Sequence, residues 1–82
     1  MTMFLVETYT PATIKVAAVE ERARVAARQV AEAGGDVEYV GSIFLPEDEL
    51  CMYLFDAASK EAVNEVALSA GISPDRIART AS

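Results

Sequence analysis

Val37-Glu38-Tyr39-Val40-Gly41-Ser42-Ile43-Phe44-Leu45 and Leu50-Cys51-Met52-Tyr53-Leu54-Phe55, joined by the polar Pro46-Glu47-Asp48-Glu49, form the stretch that decides the fold. Both runs are rich in β-branched and aromatic residues, and so short a polar link makes them an antiparallel hairpin. The second run does not alternate. A strand with helices on one side and water on the other should switch between apolar and polar at every residue. Cys51 to Phe55 is apolar on both faces, and so is Phe4-Leu5-Val6. Two apolar faces need two coverings, and one layer of helices supplies one. The second covering is expected from another copy of the chain.

The flanks of the hairpin repeat one pattern. Upstream, Thr2 to Tyr9 reads as a strand that Thr10-Pro11 stops, because proline cannot donate to a ladder. Thr13 is the expected cap of a helix from Lys15 to Ala33. Its Val16, Val19, Ala23, Ala26, Val30 and Ala33 fall on one stripe at three- and four-residue spacing. Gly34-Gly35 ends it, since glycine adopts the left-handed C-terminal conformation cheaply. Downstream, Ser59 is the expected cap of a helix that buries Ala62, Val63, Val66, Ala67 and Ala70. Gly71 closes that helix, Ser73-Pro74-Asp75 turns, and Arg76 to Thr80 is a short last strand. The order β-α-β-β-α-β is the ferredoxin-like split pattern of the α+β class. Right-handed crossovers place both helices on one face of a four-stranded antiparallel sheet in the order 4-1-3-2. Residues 1–82 are read as a single ferredoxin-like domain that pairs into an α+β barrel-type dimer.

Parity along each strand assigns the faces. Glu7 belongs away from the helices, which sends Phe4, Val6 and Thr8 inward and leaves Met3, Leu5, Glu7 and Tyr9 on the open side. The same reasoning at Glu38 sends Val37, Tyr39, Gly41, Ile43 and Leu45 inward, with Val40, Ser42 and Phe44 open. If Leu45 faces Leu50 across the turn, Leu50, Met52 and Leu54 join the core, while Cys51, Tyr53 and Phe55 are open. A one-residue slip would invert that last assignment. Ile77 is expected inward on the last strand.

Composition removes several functions. Seven Lys and Arg stand against 13 Asp and Glu, a net charge of -6. A phosphate backbone needs clustered cations, whereas Arg22, Arg24 and Arg28 are interleaved with Glu20, Glu21 and Glu32. Neither nucleic acid nor an anionic membrane is an expected partner. The single cysteine, Cys51, excludes an intrachain disulfide and a cysteine-rich metal site. There is no histidine. Ser-His-Asp and Cys-His catalysis within the chain are therefore excluded, as is a histidine metal site, and no cofactor is expected. A lone thiol suits a reducing compartment, and no signal-peptide pattern opens the chain, so the expected location is cytoplasmic.

Across nearly the whole chain these residues resemble a family of small ferredoxin-like proteins whose best-described members are nickel-binding homodimers. Phe4-Leu5-Val6-Glu7 is similar to its first strand, and Val37-Glu38-Tyr39-Val40-Gly41-Ser42 to its aromatic-Val-x-Ser second strand. Leu50-Cys51-Met52-Tyr53 is similar to its x-Cys-x-Tyr third strand. Val63-Asn64-Glu65-Val66-Ala67, Gly71-Ile72 and Arg76-Ile77 resemble its second helix and last strand. Many members carry a histidine in that helix where this chain has Val66. The resemblance therefore implies the fold and the dimer, and does not transfer a histidine metal site.

Glu7 is the first candidate for chemistry. A carboxylate on an apolar face is desolvated, which raises its pKa and suits it to accept a proton or anchor a ligand; the structural alternative is a pair with Arg76. Tyr9, Ser42 and Tyr53 offer hydroxyls to a small molecule, although a buried tyrosine more often packs its ring. Cys51 is a candidate thiol, but no neighbouring cation favours its thiolate. Leu5, Val40, Phe44 and Phe55 are the candidate dimer contacts. The acidic turn Glu47-Asp48-Glu49 is most simply a solvated tip, and Gly34-Gly35 follows a helix and is no phosphate loop. The expected function is a non-enzymatic homodimeric module that binds a small ligand or another protein. The alternative is a small dimeric α+β barrel enzyme, monooxygenase- or cyclase-like, using Glu7 and the tyrosines.

Overall fold

The strand that begins the chain lies inside the sheet, not at its edge. In the computed structural model, which describes residues 1–80, the elements are β1 (Thr2–Tyr9), α1 (Val16–Glu32), β2 (Val37–Leu45), β3 (Leu50–Ala57), α2 (Lys60–Ser69) and β4 (Arg76–Arg79). A single 3-10 turn, Pro46–Asp48, links β2 to β3. The sheet order is β2-β3-β1-β4 with every pairing antiparallel. This is the expected ferredoxin-like α+β arrangement.

Both helices pack on one face of the sheet. Val19, Ala23, Ala26, Ala27 and Val30 of α1 and Ala62, Val63, Val66 and Ala67 of α2 are buried with Phe4, Val6, Cys51, Tyr53 and Phe55. The small residues on the α1 stripe let its backbone approach the sheet closely. Ser59 caps α2 as expected, its hydroxyl accepting from the Ala62 N–H at 3.2 Å. Thr13 does not cap α1. The N-cap is Lys15, with no side-chain bond, and Ala33 falls at the exposed C-cap. Gly34 turns the chain at φ 101°, and a side chain at Gly35 would strike Val30 Cγ1 at 2.7 Å. The pair therefore ends α1 for two reasons, a left-handed backbone and a close approach.

One local feature overturns half of the expected face assignment. The β2–β3 ladder runs Val37↔Ala57 and Tyr39↔Phe55, then resumes at Gly41↔Leu54, so Val40 is an extra residue, a β-bulge. A bulge inserts one residue without a partner, and parity reverses beyond it. Ser42 and Phe44 accordingly turn toward the helices, while Gly41, Ile43 and Leu45 turn to the open face. Leu45 does pair with Leu50 as expected, but from the opposite face, so β3 inverts with it. Cys51, Tyr53 and Phe55 are core residues at 0%, 1% and 0% exposure, and Leu50, Met52 and Leu54 lie on the open face. The β1 register agrees, matching Phe4 with Phe55, Val6 with Tyr53 and Thr8 with Cys51. In β1 the expected parity holds, and Ile77 of β4 packs against the core. Among the described residues no helix is long and apolar enough to cross a membrane.

Candidate functional site

The bulge divides the sequence-based candidates between two places. Glu7, Tyr9 and Leu5 are on the open face. Ser42, Cys51 and Tyr53, expected beside them, are under the helices, as are Phe44 and Phe55. Glu7 and Tyr53 therefore lie on opposite faces of the sheet and cannot reach one atom from a single chain.

The open face reads in rows across the strands. One row is Gly41, Leu54, Leu5 and Ala78. The next is Ile43, Met52, Glu7 and Arg76, and the one beyond it Leu45, Leu50 and Tyr9. Most of these side chains are apolar, and among the described residues no second layer lies over them. Ile43 and Leu45 are exposed, as is the bulge residue Val40 at 53%. Glu7 sits within the apolar rows and has Arg76 as its cross-strand partner, the neighbour required by the structural reading of this carboxylate. Tyr9 closes the face at the hairpin end. Its hydroxyl donates to Glu49 Oε2 at 3.2 Å, and its N–H donates to Asp75 Oδ2 at 2.6 Å. The Glu49 carboxylate beside it raises the pKa of the phenol.

Beneath α1 a polar seam crosses the otherwise apolar core. Glu20 Oε2 accepts from Tyr39 Oη at 3.0 Å and from Ser42 Oγ at 2.6 Å. Tyr39 and Ser42 flank the bulge and are successive inward-facing residues because of it. The Arg24 guanidinium lies 5.5 Å from the Tyr39 ring centroid, a cation–π distance. Phe55 meets the same ring edge-on at 5.4 Å and 61°. Burial, and secondarily the Glu20 carboxylate, push the Tyr39 phenol up to about 12, against the opposing effect of the neighbouring Ser42 hydroxyl. Burial also raises Cys51 and Tyr53, and each neighbours the other. Burial thus favours the protonated forms of Tyr39, Cys51 and Tyr53 alike.

These positions bear on metal binding. A thiol must lose its proton to ligate a metal, and Cys51 is wholly buried with its pKa raised. Among the described residues no three Cys, Asp or Glu side chains stand close enough to hold an ion. Parity places Tyr39 inward, as observed, but helix spacing reads Glu20 as solvated surface, and neither stands among the sequence-based site residues. The signal was available in Gly41, because an isolated glycine inside a strand pattern marks a bulge.

The fold and the seam define a small ferredoxin-like α+β module with one helix-covered and one uncovered sheet face. A family model described as nickel responsive protein SCO4226-like matches residues 4–79, and the chain belongs to that family. No curated protein and no solved structure matches it.

Proposed function

We propose that this protein is a non-enzymatic homodimeric module in which the open sheet face of one copy packs against the same face of a second. The observation that carries this reading is the cluster of Leu5, Ile43, Leu45, Leu50, Met52 and Leu54 on a face that no described element covers. Apolar patches of this kind are rarely left to water. A two-fold axis would let the face serve as its own complement, each residue meeting its symmetry mate or a neighbour. Glu7 and Arg76, adjacent in the register, would then be enclosed as a pair, and small-ligand binding by Glu7 is subordinate to that role. The small size of the chain favours the same solution, because domains of this length bury a limited share of their surface alone.

The family description speaks of nickel. Imidazole is a favoured nickel donor, and this chain has no histidine. Its one thiol is buried beneath the helices. The residues present do not fit a resident nickel ion, and the proposed module keeps the family's fold without that chemistry.

Multi-angle light scattering at micromolar concentration tests the reading. The expected mass is that of two chains, unchanged by added nickel or by a chelator. A mass of one chain at that concentration would overturn it.

A further inference from the structure

A cavity of about 200 Å³ opens on the helix side of the sheet, between the end of β1, α1 and the loop from α2 to β4. Arg22 and Tyr53 line it with Ile14, Val19, Ile72 and Thr8. Among the described residues no carboxylate lines it, although the chain carries 13 Asp and Glu. Neighbouring concavities differ in this respect. Arg24 and Arg28 share theirs with Asp36 and Glu38, and Lys60 shares one with Glu61. Among the described residues Arg22 is thus the one formal charge lining this cavity, and its side chain also borders a separate concavity with Glu21.

Its polar groups divide into those already engaged and those with donors to spare. Thr8 Oγ1 donates to the Ser73 carbonyl at 2.8 Å, tying β1 to the α2–β4 loop. Arg22 Nε donates to the Ala70 carbonyl at 3.0 Å, which fixes the guanidinium across the two helices. The Nη nitrogens of Arg22 meet no carboxylate among the described residues. Tyr53 is 1% exposed and contributes to the wall, and its hydroxyl has the Cys51 side chain beside it, a weak acceptor. Ile14, Val19 and Ile72 supply the apolar part of the wall, and Tyr9, Thr10, Gly71 and Ser73 complete it. Ile14 stands at the rim with 42% of its surface exposed, area that a bound hydrocarbon group would cover.

We propose that this cavity binds a small monocarboxylate with a compact apolar body. Arg22 holds the carboxylate in the two-nitrogen fork that suits its geometry. Tyr53 donates from the buried wall, and Ile14, Val19 and Ile72 enclose the hydrocarbon part. The volume sets the size. Drug-sized ligands occupy roughly 300–1,000 Å³, so one ring or a short branched chain fits here and a larger molecule does not. The cavity is on the face opposite the proposed dimer contact, so the two readings stand or fall separately.

Amide NMR titration of the full chain with benzoate tests this, with benzyl alcohol and inorganic phosphate as comparison ligands. Benzoate is expected to shift the amides of Thr10, Gly71, Ile72 and Ser73 saturably. Benzyl alcohol, which keeps the ring without the charge, should bind at least roughly tenfold more weakly, as loss of a charge-assisted pair implies. Arg22→Gln, at an exposed position, should retain the native spectrum and lose benzoate binding by a similar factor; Tyr53→Phe should weaken it by a smaller factor. Equal binding of benzoate and benzyl alcohol, displacement of benzoate by phosphate at matched ionic strength, no saturable shift, or unchanged binding by Arg22→Gln would each overturn the assignment. The oligomeric mass is unaffected by any of these outcomes.

Discussion

The Ser42 hydroxyl donates to Glu20 Oε2 at 2.6 Å, joining the strand just beyond the bulge to the first helix. The same oxygen accepts from Tyr39 on the other side of Val40. One carboxylate thus spans the irregular ladder position and fixes which residues of β2 face inward. Regular pairing specifies a register through its hydrophobic pattern. Here Glu20 adds a polar specification where the regular pattern is interrupted.

Ser42→Ala should therefore destabilise the protein by about 1.5–3 kcal/mol, the range for a hydrogen bond to a charged group. Tyr39→Phe should cost somewhat less, because its ring contacts with Arg24 and Phe55 survive. The two losses share one acceptor, so the double variant should be non-additive. Urea unfolding of the three variants and the parent measures the coupling; strict additivity would show that Glu20 does not connect them.

Deleting Val40 should be far more damaging than replacing it. Without the extra residue, positions 41–45 must either slip along β3 or turn over, and turning over would carry Ser42 and Phe44 out of the core. We expect loss of the cooperative unfolding transition in the deletion variant. Val40→Thr, which keeps the bulge and a β-branched side chain at an exposed position, should unfold within about 0.5 kcal/mol of the parent. Near-ultraviolet circular dichroism with urea titration distinguishes the two.

The element order, both helices and the sheet topology were legible because each rests on periodicity and on glycine or proline punctuation spread over many residues. Phe4, Val6 and Thr8 were placed correctly for the same reason, since β1 pairs without interruption. The faces of β3 were not legible. They depend on a parity carried over from β2, and a single unpaired residue at Val40 reverses it. Gly41 is the local sign of that reversal, because an isolated glycine inside a strand pattern marks a bulge. Cys51, Tyr53 and Ser42 were rightly grouped together and assigned to the wrong side. Arg22 is exposed, as its place among Glu20 and Glu21 predicts; its contact with the Ala70 carbonyl joins positions 48 residues apart and has no signature in local spacing.

The three tyrosines should ionise late in alkaline titration. Tyr9 is raised chiefly by Glu49, and Tyr39 and Tyr53 chiefly by burial. A folded pKa above the ordinary 10.0 means the native protein retains protons that the unfolded chain releases, so stability falls as pH rises between the two values. For Tyr39 that window runs from 10.0 to about 12. Tyrosinate absorbance should consequently rise together with loss of the native circular dichroism in this range. A full tyrosinate signal near the ordinary value with the fold intact would contradict the burial of Tyr39 and Tyr53.

Cys51 should resist thiol reagents in the native protein. It has no exposed surface, and burial disfavours the thiolate that reacts. At neutral pH, labelling with an aromatic disulfide should be slow and limited by structural opening, and should become rapid in denaturing urea. Had the thiol been on the open face, as parity without the bulge implies, labelling of a monomeric variant would be immediate. The rate in such a variant separates burial under the helices from burial at a dimer contact.

Leu54→Lys supplies that monomeric variant. Leu54 is on the open face beside Leu5 and opposite Gly41, where its side chain supports no contact with the helices. In an isolated chain a lysine there places its ammonium in water and leaves the core intact. Across a two-fold contact it would meet an apolar surface and bring a second buried cation with it, and an unpaired buried charge is strongly unfavourable. Light scattering should report a single-chain mass, while far-ultraviolet circular dichroism remains that of the parent. A Leu54→Lys protein that stays dimeric would locate self-association somewhere other than the sheet face. A variant that unfolds outright would mean the face cannot remain uncovered, and Leu54→Ser, which removes the apolar surface without adding charge, should then show a weakened dimer dissociating on dilution.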